Sequence, residues 1–317
     1  MPDLSIVIVN WNTREFLHDC LTSIYSHAGD LMLEIVVVDN ASTDGSTMLV
    51  REEFPEVRLI ENSENIGYAR ANNQAFDYCS SGLILLLNPD TRILGDALGI
   101  LVNHMKRHPA TGAIGPKIVH PEMRLRVLSC GYQPTLRTLF NHYFFLSALS
   151  PHRQTFRGIN LRIGVHDDAI REVEWLSGAC ILVKREVIDQ VGPLSEEWFM
   201  YAEDMEWCQR MIDGGWRLYH NPNAIIEHRP GSSAKENEWV STMWVRSLRS
   251  YFVHRQHPSR LHLALFDLVL VCGLFMRAMF YSVHASRSKR GQRLMWQEEA
   301  KKFRKYAVAA LAAWKAG

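Results

Sequence analysis

The 317-residue chain carries 35 Lys and Arg against 34 Asp and Glu, and a net charge of +1 offers no global argument for nucleic-acid binding. Its six cysteines are scattered with no Cys-x-x-Cys pair, so reduced core residues of a cytosolic protein are expected. The length suits one large domain or two smaller ones. Met1-Pro2-Asp3-Leu4 leads straight into a strand with no basic-then-apolar segment, so no secretory signal is expected.

Leu4 to Val9 is a β-rich apolar run ending in Asn10-Trp11-Asn12. Asn12 with Glu15 resembles a capping box, and Phe16, Leu17, Cys20, Leu21 and Ile24 then repeat at helical spacing. Glu34 to Val38 is a second strand, closed by Asp39-Asn40-Ala41-Ser42-Thr43-Asp44-Gly45, and a helix is expected from Ser46. A short strand over Val57 to Ile60, a loop over Asn62 to Gly67 and a helix over Tyr68 to Tyr78 come next. Leu83 to Leu87 is an unbroken apolar run, the signature of a strand buried on both faces, stopped by Asn88-Pro89-Asp90. The alternation of strands and helices over residues 4–91 predicts a doubly wound parallel sheet.

The strand ends carry acid and amide: Asn10, Asp39, Asp44 and Asp90. No Gly-x-Gly-x-x-Gly or P-loop lysine follows the first strand, which argues against an ordinary dinucleotide site. A carboxylate accepts from N–H and repels phosphate, so Asp39 suits a base or ribose contact. Asp90 reads in two ways, as a turn aspartate or as a ligand for a hard cation at the carboxyl edge of the sheet.

Val36 to Ser46, Asn65-Ile66-Gly67-Tyr68-Ala69-Arg70-Ala71-Asn72-Asn73 and Leu87-Asn88-Pro89-Asp90 together resemble the nucleotide-sugar half of the family 2 glycosyltransferases, in the rhamnosyltransferase-like branch that builds bacterial surface polysaccharide. The resemblance implies an α/β fold of the GT-A type, with a C-terminal helical segment. It implies a donor set of Asn10, Asp39, Asn65, Arg70, Asn88 and Asp90. In that set Asp39 takes the pyrimidine N3–H, Arg70 stands near the base or diphosphate, and Asp90 binds Mg²⁺ or Mn²⁺. The family often has Asp-x-Asp where this chain has Asn88 at the first position.

Gly95 to His108 reads as a helix and Gly112 to Val119 as a strand. Gly131 to Ile170 lacks a clear period and is rich in aromatic and basic residues. It is read as an acceptor- or membrane-facing insertion, with plain surface packing as the alternative. In Val173 to Val183, the small pair Gly178-Ala179 permits close approach of a ligand or of another backbone, and the resemblance makes it the floor of the donor-sugar pocket. Trp175 is placed on the acceptor side. On a helical wheel Asp204 falls on the apolar arc of Met205, Trp207, Cys208, Met211 and Ile212, with Glu203 on the polar side. A buried carboxylate suits a general base, and a first-turn aspartate serving the helix terminus is the alternative. The resemblance puts Asp204 in the base position and leaves Glu203 to orient neighbours or touch the acceptor.

Arg217 to His220 and Ala224 to His228 read as two short strands around Asn221-Pro222-Asn223. His228 alone reads as structural, but the resemblance makes it a second metal ligand beside Asp90. Gly231 to Asn237 is a candidate lid. Beyond it the pattern is helical. Leu261 to Val283 is apolar but includes Asp267 and Arg277, and Ala285 to Tyr306 carries eight Lys and Arg against two Glu. An in-plane helix at an anionic membrane surface is expected, with an oligomerisation arm or an ordinary packed helix as alternatives.

The expected organisation is a catalytic domain over 1–238 (donor half 1–91, acceptor half 92–238) and a helical, membrane-associated segment over 239–317. The expected function is an inverting, metal-dependent glycosyltransferase at the inner face of the cell membrane. It moves a sugar, rhamnose favoured, from a dTDP- or UDP-linked donor to a hydroxyl of a glycan or lipid-linked glycan. Transfer of another sugar, a protein or small-molecule acceptor, and a non-catalytic nucleotide-sugar or glycan-binding module are the alternatives. A nucleotidyltransferase needs a Gly-rich, basic phosphate loop, which Asn10-Trp11-Asn12 is not.

Overall fold

The computed structural model describes residues 1–120, 129–150, 153–161, 169–229 and 242–316. In chain order the elements used below are β1 (Leu4–Asn10), α1 (Arg14–Ser26), β2 (Leu33–Asp39), α2 (Ser46–Glu53), β3 (Arg58–Glu61), α3 (Tyr68–Phe76), β4 (Leu83–Leu87), β5 (Thr91–Leu94), α4 (Ala97–Arg107), β6 (Thr111–Val119), β7 (Cys130–Gly131), α5 (Leu136–Tyr143) and α6 (Leu146–Leu149). The second half has β8 (Arg171–Val173), β9 (Trp175–Leu176), β10 (Cys180–Lys184), α7 (Arg185–Val191), α8 (Glu203–Asp213), β11 (Arg217–His228), α9 (Met243–Gln256), α10 (Arg260–Arg287) and α11 (Arg290–Ala316). The chain forms two compact units, Met1–Cys130 with Gly164–Trp239, and Gly131–Ile163 with Val240–Gly317. Thus 131–163, read from sequence as part of the acceptor half, clusters with the C-terminal helices.

The first unit is built on a sheet ordered β3-β2-β1-β4-β10-β6-β11-β5, with β8 added beside β11. β3, β2, β1 and β4 are parallel, as their continuous apolar runs predict; β10 runs antiparallel between β4 and β6. All five side chains of β4 are buried. Burying one such Leu or Ile contributes about 1.5–3 kcal/mol, which makes β4 the natural centre of the sheet. Successive connections leave β1 toward β2 and return to its other side at β4, which opens a crevice at the carboxyl ends.

Three local expectations change. The Asn12 capping box does not form: Asn12 takes a left-handed φ of 52° and its Oδ1 accepts from the Thr43 N–H at 2.8 Å. The two strands expected over 217–228 are one, β11, whose pairing to β6 slips between Asn221 and Ile225 and so absorbs the Asn-Pro-Asn turn as a bulge. β5, unassigned from sequence, is an edge strand whose partner β11 lies far along the chain.

The second unit is helical. α10 packs against α11 and α5, and Gly273 lets Tyr143 of α5 approach so closely that a Cβ there would lie 2.3 Å from the Tyr143 Cβ. The segment read as an aperiodic insertion therefore contributes two helices, and Leu139 and Tyr143 are buried in this bundle. Asp267, only 3 % exposed, accepts from the Arg249 Nε at 2.9 Å and Nη2 at 3.2 Å, and Arg277 lies over the rings of Tyr143, Phe145 and Phe303. Both charges that interrupt α10 turn into the bundle.

Candidate active site

Parallel register sets Asn10 beside Asp39 at the ends of β1 and β2. Asn10 Nδ2 donates to Asp39 Oδ2 at 2.7 Å and to Ser42 Oγ at 3.1 Å, while Asp39 Oδ1 accepts from the Ser42 N–H at 2.7 Å. An ionised carboxylate has roughly four lone-pair sites, so the buried Asp39 retains acceptor capacity for one more N–H. Asn40 ties this corner to the next loop, with Nδ2 3.3 Å from both Asn65 Oδ1 and Gly67 O. Asn65 Oδ1 also accepts from the Gly67 N–H at 3.0 Å, so Asn65 shapes the loop that starts α3. Asp44 stands apart from this cluster and accepts from the Ser46 N–H at 3.0 Å at the start of α2.

Past β4, the Asn88 N–H donates to Ala179 O at 3.0 Å, joining this turn to the loop before β10. Gly178 O accepts from the Tyr68 hydroxyl at 2.7 Å, and a Cβ on Gly178 would stand 2.9 Å from that oxygen. Close approach by Tyr68 is thus one reason for glycine at 178. Burial, with the charges of Glu203 and Asp204 adding to it, pushes the Tyr68 hydroxyl well above its ordinary pKa and keeps it a donor. The sequence motifs contain Tyr68 and Asn40 but assign neither a role; the signal for Tyr68 is a half-buried hydroxyl that needs a partner.

On the other side of the same loop the Gly178 N–H donates to Asp204 Oδ2 at 3.0 Å, and Asp204 Oδ1 accepts from the Met205 N–H at 2.8 Å. Asp204 therefore serves the helix terminus and is tied to the Gly178 loop. The wheel assignment is corrected in one respect: Glu203 is buried, only 6 % exposed, and Asp204 is half-buried. Left-handed Tyr201 and Ala202 (φ 67° and 80°) start α8 abruptly, and Glu203 falls one turn before buried Trp207 on the same face. Among the described residues Glu203 Oε2 has no hydrogen-bond partner, and burial together with the Asp204 charge pushes its carboxyl up to about 8. Burial raises Asp204 as well, opposed by the N–H groups of Gly178 and Met205. Of the two, Glu203 is the carboxyl that burial and the Asp204 charge push into the neutral range.

That shift has a consequence for stability. A carboxyl raised on folding from 4.5 to about 8 takes up a proton on folding, so stability falls as pH rises through that window and levels off above it. Glu203→Gln, which mimics the protonated acid, should remove this slope. Melting curves from pH 5 to 9 should show the variant gaining on the parent by a few kcal/mol, on the scale of about 1.4 kcal/mol per pKa unit. Parallel curves would contradict the assignment.

At the end of β11, pairing of His228 with Thr91 brings the imidazole to Asp90. His228 Nε2 lies 3.0 Å from Asp90 Oδ1 and 3.5 Å from Asn88 Nδ2, all near the edge of the sheet. Among the described residues no group of three or more His, Cys, Asp or Glu gathers as a metal site. The pair nevertheless fits a divalent cation. Among the described residues buried Asp90 Oδ1 has no hydrogen-bond partner, the imidazole lying 3.0 Å from it, and two cis ligands at about 2.1 Å from an octahedral ion stand about 3 Å apart. Diphosphate oxygens and water are the further ligands such an ion ordinarily takes.

Arg70 is largely exposed and lies 4.0 Å from Glu196, and Trp175 is buried in β9. The lid expected over residues 231–237 lies outside the described residues.

A mostly parallel sheet whose carboxyl edge gathers acids and amides, with a carboxylate-bearing helix beside it, is the arrangement of the GT-A fold. The family model described as glycosyl transferase family 2 matches residues 5–156 of the chain. Among curated relatives, it is 28 % identical over 247 residues to the N-acetylglucosaminyl-diphospho-decaprenol L-rhamnosyltransferase of Mycobacterium tuberculosis, covering 74 % of this chain and 78 % of that one. It is 29 % identical over 217 residues to a low-salt glycan biosynthesis hexosyltransferase of Haloferax volcanii, covering 66 % of this chain and 62 % of that one. Among solved structures, the mannosyltransferase of Pyrobaculum calidifontis in complex with GDP-Man and Mn²⁺ shares the fold at a TM-score of 0.61 and 17 % identity, covering 99 % of this chain and 86 % of that one.

Proposed function

We propose that the protein is an inverting, metal-dependent glycosyltransferase of cell-surface polysaccharide synthesis. It moves a sugar, rhamnose favoured, from a dTDP- or UDP-linked donor to a hydroxyl of a lipid-linked glycan at the inner face of the cell membrane. The observation that carries the reading is the continuous hydrogen-bonded path from Asp204 through Gly178 and Ala179 to Asn88, where the Asp90–His228 pair stands. The relative that acts on a decaprenol-linked N-acetylglucosamine supports the sugar and the acceptor class.

In this reading Asn10 holds Asp39 to receive the pyrimidine N3–H, and Asn40 and Asn65 shape the wall beside it. Gly178 and Ala179 floor the sugar pocket. Asp204 takes the proton from the acceptor hydroxyl as that oxygen attacks the anomeric carbon, and the bond from that carbon to the diphosphate oxygen breaks on the opposite face. Both Asp204 oxygens are held by backbone N–H groups, which orients the base, and its raised pKa suits proton transfer nearer neutral pH. Asp90 and His228 would hold Mg²⁺ or Mn²⁺, which supplies positive charge against the leaving diphosphate. Glu203 would orient neighbours from its buried position at the start of α8.

Thermal stabilisation against UDP-, dTDP- and GDP-sugars, each with Mn²⁺, Mg²⁺ or EDTA, tests the donor site, because a ligand that binds only the native state raises stability by mass action. A metal-dependent shift is expected with one dTDP- or UDP-sugar, and Asp39→Ala should remove most of it. A protein that binds donor yet neither hydrolyses nor transfers it would be a binding module. Transfer to a water-soluble acceptor but not to a lipid-linked one would reassign the acceptor.

A further inference from the structure

α10 presents an outward stripe that the site does not use. Leu261, Leu265, Leu268, Cys272, Phe275 and Met279 are all exposed and recur at alternating steps of four and three residues. Every exposed position from Leu261 to Val283 is apolar. At about 1.5 Å per residue the stripe from Leu261 to Met279 runs about 27 Å, longer than the scattered apolar side chains a soluble surface ordinarily shows. Phe145 extends it sideways by packing on Phe280, with ring centroids 4.9 Å apart.

Charge identifies what covers it. Between Met243 and Gln297 there are nine Lys and Arg and one acid, Asp267, which Arg249 neutralises inside the bundle. Arg260 stands at one end of the stripe, and Arg287, Lys289 and Arg293 at the other, all exposed. A second copy of the chain laid along the stripe in either direction would set cations against cations with no acid to answer them. An anionic headgroup layer answers both ends, with the apolar stripe entering the acyl boundary between them.

Orientation follows from the packing. α11 lies along α10, with Tyr281 stacked on Trp296 and Phe303 and Arg304 Nη2 3.0 Å from Ser282 Oγ. A spanning α10 would therefore carry the Lys and Arg of α11 into hydrocarbon. We infer that α10 is an in-plane membrane anchor: its Leu261–Met279 stripe inserts shallowly into an anionic phospholipid surface, and the flanking basic residues grip the headgroups. This deepens the membrane-surface placement proposed above but rests on the helical unit alone.

The test is vesicle flotation of the full chain with phosphatidylcholine alone and mixed with phosphatidylglycerol, at low and high salt. Binding to the anionic vesicles should exceed binding to neutral ones by at least about tenfold and fall with salt. Leu265→Glu with Phe275→Glu should abolish it, and neutralising Arg260, Arg287, Lys289 and Arg293 to Gln should weaken it roughly 10²-fold. The donor-induced thermal shift, a property of the other unit, should be unchanged in both variants and certifies that they fold. No flotation by a chain that still shows the donor shift overturns the inference and leaves the enzymatic reading intact. A dimer in light scattering that the paired glutamates disperse would assign the stripe to a second copy and also overturn it, as would resistance to alkaline extraction from cell membranes, the mark of a spanning helix.

Discussion

Asp204→Asn should lower the rate of sugar transfer by about 10²–10⁴-fold, the range of a lost general base, while donor binding stays within about twofold. The amide keeps the volume of the side chain, and its carbonyl oxygen can still accept from the Gly178 N–H, which donates to Asp204 at 3.0 Å. What it loses is the lone pair that takes the acceptor proton. The pH profile sharpens the test. Burial raises the Asp204 carboxyl above its ordinary 3.8, so the parent's rate should fall with acid at a higher pH than for a free aspartate. The residual activity of the variant should lack that limb. Turnover within tenfold of the parent, or an unchanged acid limb, would move the base elsewhere.

The second large effect is expected at the sheet edge. Asp90→Asn and His228→Ala should each erase the part of the donor's thermal shift that EDTA removes from the parent. A donor present at about 100 times its Kd stabilises by about 2.7 kcal/mol, so the loss is measurable as a melting temperature without any turnover. The same variants separate ligation from packing. His228 lies 3.0 Å from a buried Asp90 oxygen that has no hydrogen-bond partner among the described residues, so without metal Asp90→Asn relieves a carboxylate and should leave stability unchanged or raised. A variant that loses stability equally in EDTA and in Mn²⁺ would make the pair structural.

Residues 4–91 were legible because their information is local. Strands buried on both faces read as unbroken apolar runs, and Asn88-Pro89-Asp90 ends the last of them by removing a ladder donor. The acids and amides at the strand ends were visible for the same reason, and parallel register then sets Asn10 beside Asp39. Asp204 reads as a carboxylate at an apolar wheel position, whereas Glu203, on the polar side of that wheel, is the buried one. A wheel assumes a regular first turn, whereas two left-handed residues precede this helix.

Composition and periodicity, properties of neighbouring residues, thus determined the parallel half of the sheet, the acidic strand ends and the helical C-terminal region. Only the tertiary structure decided three matters. It brought His228 to Asp90 across a strand pairing, since β5 and β11 meet at Thr91 and His228. It divided the pair Glu203 and Asp204 into a buried acid and a half-buried carboxylate. It turned Asp267 and Arg277 inward, leaving the outer face of α10 apolar where the sequence alone showed a helix interrupted by charge. Each depends on partners far apart in the chain, whose approach is set by packing and pairing and not by local preference.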